Sequence, residues 1–131
     1  MASVSKHWVP DRRDMIWVNF NPQVGSEMKD EHPMMVLSPK AFNERTQLVI
    51  GLPMTHAQSN ETNPFAVKFT STKGEVCYVL THQPKSFAWR ERGARPHAWK
   101  QVPPEVFEAA CEELNAIIAI SAAKNQPPSL Y

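Results

Sequence analysis

Apolar and polar positions alternate in short bursts through most of the chain, then settle into a helical rhythm near its end. Residues 15–20 are rich in β-formers (Ile16, Trp17, Val18, Phe20) and predict a first strand, closed by Asn21-Pro22 and Gly25. Residues 23–31 are polar, with charges of both signs, and read as a loop. Residues 34–38 form an unbroken apolar run, which suits a strand buried on both faces, and Pro39 stops it. A helical turn is expected at 41–45 and a third strand at 47–52. The polar stretch 56–63 predicts a mobile loop. Residues 65–69 alternate with period two, the mark of a half-buried strand. Lys73-Gly74 signals a turn before a strand at 76–80, and 94–101 predicts a further strand interrupted by Pro96.

The C-terminal helix is the clearest element. Pro103-Pro104-Glu105 opens it, because Pro fits the first turn and a carboxylate there complements the helix dipole. Val106, Phe107, Ala110, Cys111, Leu114, Ile117 and Ile118 recur at three and four, giving one apolar face, while Glu108, Glu112 and Glu113 lie mostly on the other. Several short strands with polar loops and one terminal helix predict an α+β, mostly β fold built on a small antiparallel barrel. The expected organisation is an N-terminal segment (1–13), one domain (14–122) and a frayed tail (123–131).

With 131 residues, 42% hydrophobic and 21% charged, the chain suits one globular domain. Its formal charge of +1, from 14 Lys+Arg against 13 Asp+Glu, gives no argument for nucleic-acid binding, which would need a local basic patch. Cys77 and Cys111 lie far apart without metal-ligand spacing and read as reduced thiols, which suits a cytoplasmic protein. No secretory leader is read at the N-terminus, and the run 116–120 is far short of the ~20 residues of a membrane span. His7, His32, His56, His82 and His97 are scattered without paired spacing, so no metal or cofactor is expected.

Five segments stand out together. They are Asp14-Met15-Ile16-Trp17-Val18-Asn19-Phe20-Asn21-Pro22, Gly25-Ser26-Glu27, Pro33-Met34-Met35-Val36-Leu37-Ser38-Pro39, Gly51-Leu52-Pro53-Met54-Thr55, and Gln83-Pro84-Lys85-Ser86-Phe87-Ala88-Trp89-Arg90-Glu91-Arg92. Spread over about residues 8–120, they resemble the MazF/PemK family of toxin endoribonucleases. The resemblance implies an SH3-like barrel with a C-terminal helix, a homodimer, and a MazE/PemI-like antitoxin whose acidic tail crosses the RNA groove. It also implies metal-free cutting of single-stranded RNA, in which a ribose 2′-OH attacks the adjacent phosphorus to leave a 2′,3′-cyclic phosphate and a 5′-OH. Such a reaction needs a base, donors for the phosphorane oxygens and an acid for the leaving oxygen.

Carried over residue by residue, the resemblance places Thr55 and Glu27 at the catalytic site. Ser26, Asn43, Gln83, Lys85, Arg90 and Arg92 become candidate RNA contacts. His32 stands where the family carries an Arg, and His82 where it carries an acidic residue. Arg is always charged and grips two phosphate oxygens, whereas His titrates near pH 6.5. His32 is therefore either an altered acid–base catalyst or the mark of a site that has lost its clamp, unless the register is misread. One hypothesis is that His32 and His82 converge as an acid–base pair. Arg13 replaces a family Gly before Asp14, and Asp30 and Glu31 add charge that repels RNA unless it points away. The alternatives are a catalytically silent relative that sequesters RNA or antitoxin and, with less support from the C-terminus, a CcdB-like gyrase poison. His97 and Trp99 receive no role.

Overall fold

A computed structural model of the chain describes residues 7–22, 24–25 and 30–119. Seven strands and two helices follow in the order β1 (Asp14–Asn19), β2 (Glu31–Val36), α1 (Lys40–Thr46), β3 (Leu48–Thr55), β4 (Ala66–Thr70), β5 (Val76–Leu80), β6 (Lys85–Ala88), β7 (Arg95–Gln101) and α2 (Pro104–Ile118). A short 3₁₀ turn, Gln58–Thr62, lies between β3 and β4, inside the stretch that reads from sequence as a mobile loop. All pairings are antiparallel. The path across the sheet is β4-β5-β3-β2-β1-β7, with β6 added to β3. Expected tail residues 123–131 lie outside the described residues.

Strand β3 is the hub. Its first half pairs with β6 from Leu48↔Ala88 to Gly51↔Lys85, its middle with β2 from Gly51↔Val36 to Pro53↔Met34, and its end with β5 through Met54↔Val79 and Thr55↔Tyr78. It runs past the sequence expectation because Pro53, which lacks an N–H, is accommodated inside it. Gln47, expected as its first residue, instead caps α1 in the left-handed conformation, at φ 60°. Strand β6 had no sequence signal, since Lys-Ser-Phe-Ala is too short to establish a period. Likewise β7 contains Pro96 as a paired residue opposite Ile16, at a point where the register with β1 shifts.

Because side chains alternate across a strand, the curled sheet has two apolar faces. One carries Met15, Met35, Leu52, Met54, Phe69, Cys77 and Val79, and α2 covers it with Val106, Ala110 and Leu114 at the i, i+4, i+8 positions. Ile117 and Ile118, expected on that apolar face, are 40% and 46% exposed. The other face carries Ile16, Val18, Phe20, Met34, Val36 and Val49, closed by Val9, Phe87 and Trp89. No helix among the described residues is long and apolar enough to cross a membrane.

Two backbone positions carry the tight packing. Arg13 keeps a left-handed conformation (φ 77°), with its N–H donated to the Val36 carbonyl at 2.7 Å, so the chain enters β1 by a glycine-like turn despite the side chain. At Gly51 a Cβ would meet the Met35 carbonyl oxygen at 2.5 Å and the Met34 side chain at 2.8 Å. The main chain of β2 cannot yield without breaking the β2–β3 ladder. Gly51→Ala is expected to cost about 2 kcal/mol, measurable by urea unfolding; a loss under about 0.5 kcal/mol would show that the strands slide apart freely.

Candidate active site

Sheet pairing sets the candidate residues in a row. Thr55 at the end of β3 lies opposite Tyr78 of β5, and Tyr78 lies opposite Lys68 of β4. On the other side, the β2–β3 ladder ends at Met34↔Pro53; His32 lies two residues beyond that pair in β2 and Thr55 two residues beyond it in β3. Directly paired residues share a face, so Thr55, Tyr78 and Lys68 form one row on the face opposite α2, and His32, two residues before Met34, lies on the same face.

Each member has a distinct environment. Thr55 is buried, and its Oγ1 accepts the Ala57 N–H at 3.1 Å, which leaves the hydroxyl proton available to donate. His32 is half-buried and meets the edge of Phe20, with ring centroids 6.4 Å apart. Burial pushes its imidazole below the usual His range, against an opposing pull from Asp30. Near neutral pH it is therefore an uncharged proton acceptor rather than a cationic clamp.

The added acidic residues are turned aside. Glu31 alternates with His32 to the opposite face, where its Oε2 accepts from Arg95 Nη1 at 2.5 Å. Asp30 adopts a left-handed conformation (φ 62°) and is held by Asn21, whose Nδ2 donates to Asp30 Oδ1 at 3.0 Å and whose Oδ1 accepts the Asp30 N–H at 2.9 Å. The loop charge that looked repulsive in the sequence is thus already engaged within the protein.

Other candidates separate. His82 is exposed in the turn after β5 and stacks on Phe65 at 5.5 Å, with its Nε2 3.4 Å from Gln83 Nε2. No hydrogen bond or ring contact joins His32 to His82 among the described residues. Among the described residues, the buried Oε1 of Gln83 has no hydrogen-bond partner. Lys85 is half-buried on β6 opposite Gly51. Arg90 is exposed, donates from Nε to Gln47 Oε1 at 2.8 Å, and lies 4.4 Å from the Trp89 ring centre. Arg92 donates from Nη1 to the Asn19 and Asn21 carbonyls at 3.0 and 2.6 Å and lies 4.3 Å over Phe87, so it ties the exit of β1. Ser26 and Glu27 lie outside the described residues.

Asn43 calls for a correction. It is fully buried (0% exposed), so it cannot meet RNA on the surface of this chain. Its Nδ2 donates to the Pro10 and Ser38 carbonyls at 2.8 and 3.0 Å, and its Oδ1 accepts from Ser38 Oγ at 2.5 Å. The Asn43 carbonyl accepts Trp89 Nε1–H at 2.9 Å. A polar residue in a short helical turn looks like a surface contact in sequence; its neighbours Pro10 and Trp89, distant in the chain, make it an anchor.

The profile of the family described as "PemK-like, MazF-like toxin of type II toxin-antitoxin system" matches residues 11–118, most of the chain. The chain belongs to this family. It is 35% identical over 111 residues to the endoribonuclease toxin MazF of Escherichia coli K12, covering 85% of this chain and 96% of that protein. It is 27% identical over 109 residues to the endoribonuclease PemK of E. coli, covering 81% of this chain and 80% of that one. The fold is similar to a crystal structure of MazF from Deinococcus radiodurans, with TM-score 0.77, 31% identity, and coverage of 86% of this chain and 99% of that one. A MazE–MazF structure from the same organism gives TM-score 0.70 and 29% identity, covering 87% of this chain and 99% of that one. Within the family frame, Tyr78, Lys68 and Glu61 escaped the sequence reading. The available signal was Tyr78 itself, a side chain with a polar tip inside an apolar strand.

Burial also depresses the His97 imidazole, with nearby His56 adding to the effect. A histidine whose folded pKa lies below its unfolded value favours folding above the unfolded pKa and loses that contribution as pH falls through the folded one. Stability should therefore decline as the pH drops below about 6.5. Asp14, raised from 3.8 by burial, acts in the opposite sense but only in its own more acidic range. Thermal unfolding between pH 5 and 8 tests this, and a flat profile that persists in His32→Gln and His97→Gln variants would sink it.

Proposed function

We propose that this chain is the toxin of a type II toxin–antitoxin pair and acts as a sequence-specific endoribonuclease on single-stranded RNA without a metal. The observation that carries the proposal is the placement of His32 and Thr55 on one face, each two residues past the Met34↔Pro53 pair, in a chain whose relatives are named endoribonucleases. In this reading His32 takes the proton of a ribose 2′-OH as that oxygen bonds to the adjacent phosphorus. Thr55 donates its hydroxyl to a non-bridging oxygen, which gathers charge in the phosphorane. The bond to the 5′-oxygen breaks, solvent supplies that oxygen's proton, and a 2′,3′-cyclic phosphate remains.

Lys85 and Arg90 are the candidates for phosphate contact outside the row, and Gln83 and His82 for contact with bases at its margin. Glu27 and Ser26 keep the roles that the resemblance gives them. A MazE-like antitoxin is the proposed partner, supported by MazE–MazF complexes of similar structure. Homodimer formation and a cytoplasmic site of action follow from the same family reading.

The test is incubation of the purified protein with a long single-stranded RNA in EDTA from pH 5 to 9, with both new ends mapped. Cutting at a short recurring sequence, with cyclic phosphate on one side and 5′-OH on the other, is expected. The rate should rise through a pKa below 6.5 and then level off. Binding without cutting at any pH would favour the catalytically silent relative, in which loss of the Arg clamp has removed the chemistry.

A further inference from the structure

The segment that leaves Thr55 does not hang free. The Ala57 N–H donates to Thr55 Oγ1 at 3.1 Å, and the 3₁₀ turn that follows is laced by its own amides. Asn60 Nδ2 donates to the Ala57 carbonyl at 3.1 Å, Asn63 Nδ2 to Asn60 Oδ1 at 3.1 Å, and the Phe65 N–H to Asn63 Oδ1 at 3.0 Å. At the far end buried Thr81 binds the Phe65 carbonyl twice, through its N–H at 3.1 Å and its Oγ1 at 2.5 Å.

One carboxylate fastens the middle. Glu61 Oε2 accepts the Tyr78 hydroxyl at 2.5 Å, and Glu61 Oε1 accepts Lys68 Nζ at 2.8 Å. Tyr78 and Lys68 belong to the row that begins at Thr55. Tyr78 lies on the face away from α2, yet it is only 2% exposed. The Lys68–Glu61 pair is half exposed on both sides, and an ion pair in that setting holds little by itself. The charged hydrogen bond to Tyr78 is the firmer half of the arrangement. Gln58 and Ser59, on the same turn, are exposed, and among the described residues neither side chain makes a hydrogen bond.

We propose that Glu61 and Tyr78, assisted by Lys68, form a clasp that fixes residues 57–65 as a rigid wall of the Thr55 site. In this role they are positioning residues that set RNA affinity and cut-site choice rather than the rate of bond breaking. The inference rests on the endoribonuclease reading above. A wall held in one place presents the exposed Gln58 and Ser59 side chains at a fixed position relative to Thr55, and discrimination between bases depends on such fixed placement. A loosened wall lets wrong bases in and costs ordering on every binding event.

The test compares wild type with Tyr78→Phe and Glu61→Ala, each retaining most of its packing. Three quantities are read: kcat and KM on an RNA oligonucleotide bearing the wild-type cut site, the cut-site profile on long RNA, and amide hydrogen exchange across 57–65. We expect KM to rise about fivefold, the net effect of one lost hydrogen bond. kcat should stay within about twofold, the profile should broaden, exchange in 57–65 should quicken, and the double variant should add little to either single one. Unchanged KM, profile and exchange would overturn the clasp. Loss of kcat alone would also overturn it, by making these residues part of the chemistry. If wild type binds the oligonucleotide without cutting it, while the variants bind more weakly and exchange faster, the clasp stands and the cleavage reading falls. If wild type neither binds nor cuts, both fall.

Discussion

Asn43→Ala should lower unfolding free energy by about 4 kcal/mol, the largest single-residue effect on stability expected in this protein. Truncation takes two donors from the Pro10 and Ser38 carbonyls and an acceptor from Ser38 Oγ. Each buried polar group left alone costs about 1–3 kcal/mol, and the space vacated adds a cavity term. The site has little room to relax, because the Asn43 main chain also receives Trp89, which is 1% exposed. Asn43→Asp is the sharper companion. It preserves the shape and the acceptor from Ser38 but turns the donating amide into an acceptor facing two carbonyls. Urea unfolding at constant slope measures both. A cost below about 1 kcal/mol for Ala would mean that water enters and satisfies the carbonyls, and that the residue is less central than its burial implies.

Thr55→Val should reduce RNA cleavage at least about 100-fold, comparable to removing one donor from a developing oxyanion elsewhere. Valine keeps the β-branched shape at the end of β3 and deletes only the hydroxyl. The Ala57 N–H it abandons belongs to an exposed residue in a part-buried bond, so stability should fall by about 1 kcal/mol. His32→Ala should lose at least as much activity, because proton transfer by a positioned imidazole is worth about 10²–10⁴-fold. The informative variant is His32→Arg. It places a fixed positive charge on the Thr55 face and removes the imidazole proposed as the base, so any activity it retains should lose the acidic limb of the pH profile. A His32→Ala protein that cuts as fast as wild type, with the same pH profile, would sink the assignment.

Much of this was legible in the chain itself. The helical period from Val106 to Leu114 and the alternation at 65–69 predicted α2 and β4, because each element buries one face and exposes the other. Thr55 and His32 could be singled out from the local phrases around them. Their placement on one face could not, since it depends on the β2–β3 register, a pairing between residues far apart in the chain. Asn43 misled for the same reason: its partners at Pro10 and Trp89 are distant, so a core anchor resembles a surface amide. Lys-Ser-Phe-Ala was too short to announce β6, and Pro53 and Pro96 hid strand residues that the sheet accepts. Glu61 escaped because a carboxylate in a polar loop carries no mark of the tyrosine it will meet.

Strand β3 touches β2, β5 and β6, ends at Thr55, and holds Gly51 where even a methyl group has no space. Architecture and chemistry therefore draw on the same eight residues. Evolutionary change has little freedom there, since a substitution that retunes the strand also endangers the sheet. Change within such a scaffold is channelled outward, to the connections that leave the strand. The neighbouring strand is less constrained: in β2, His32 already stands where the family resemblance places an Arg.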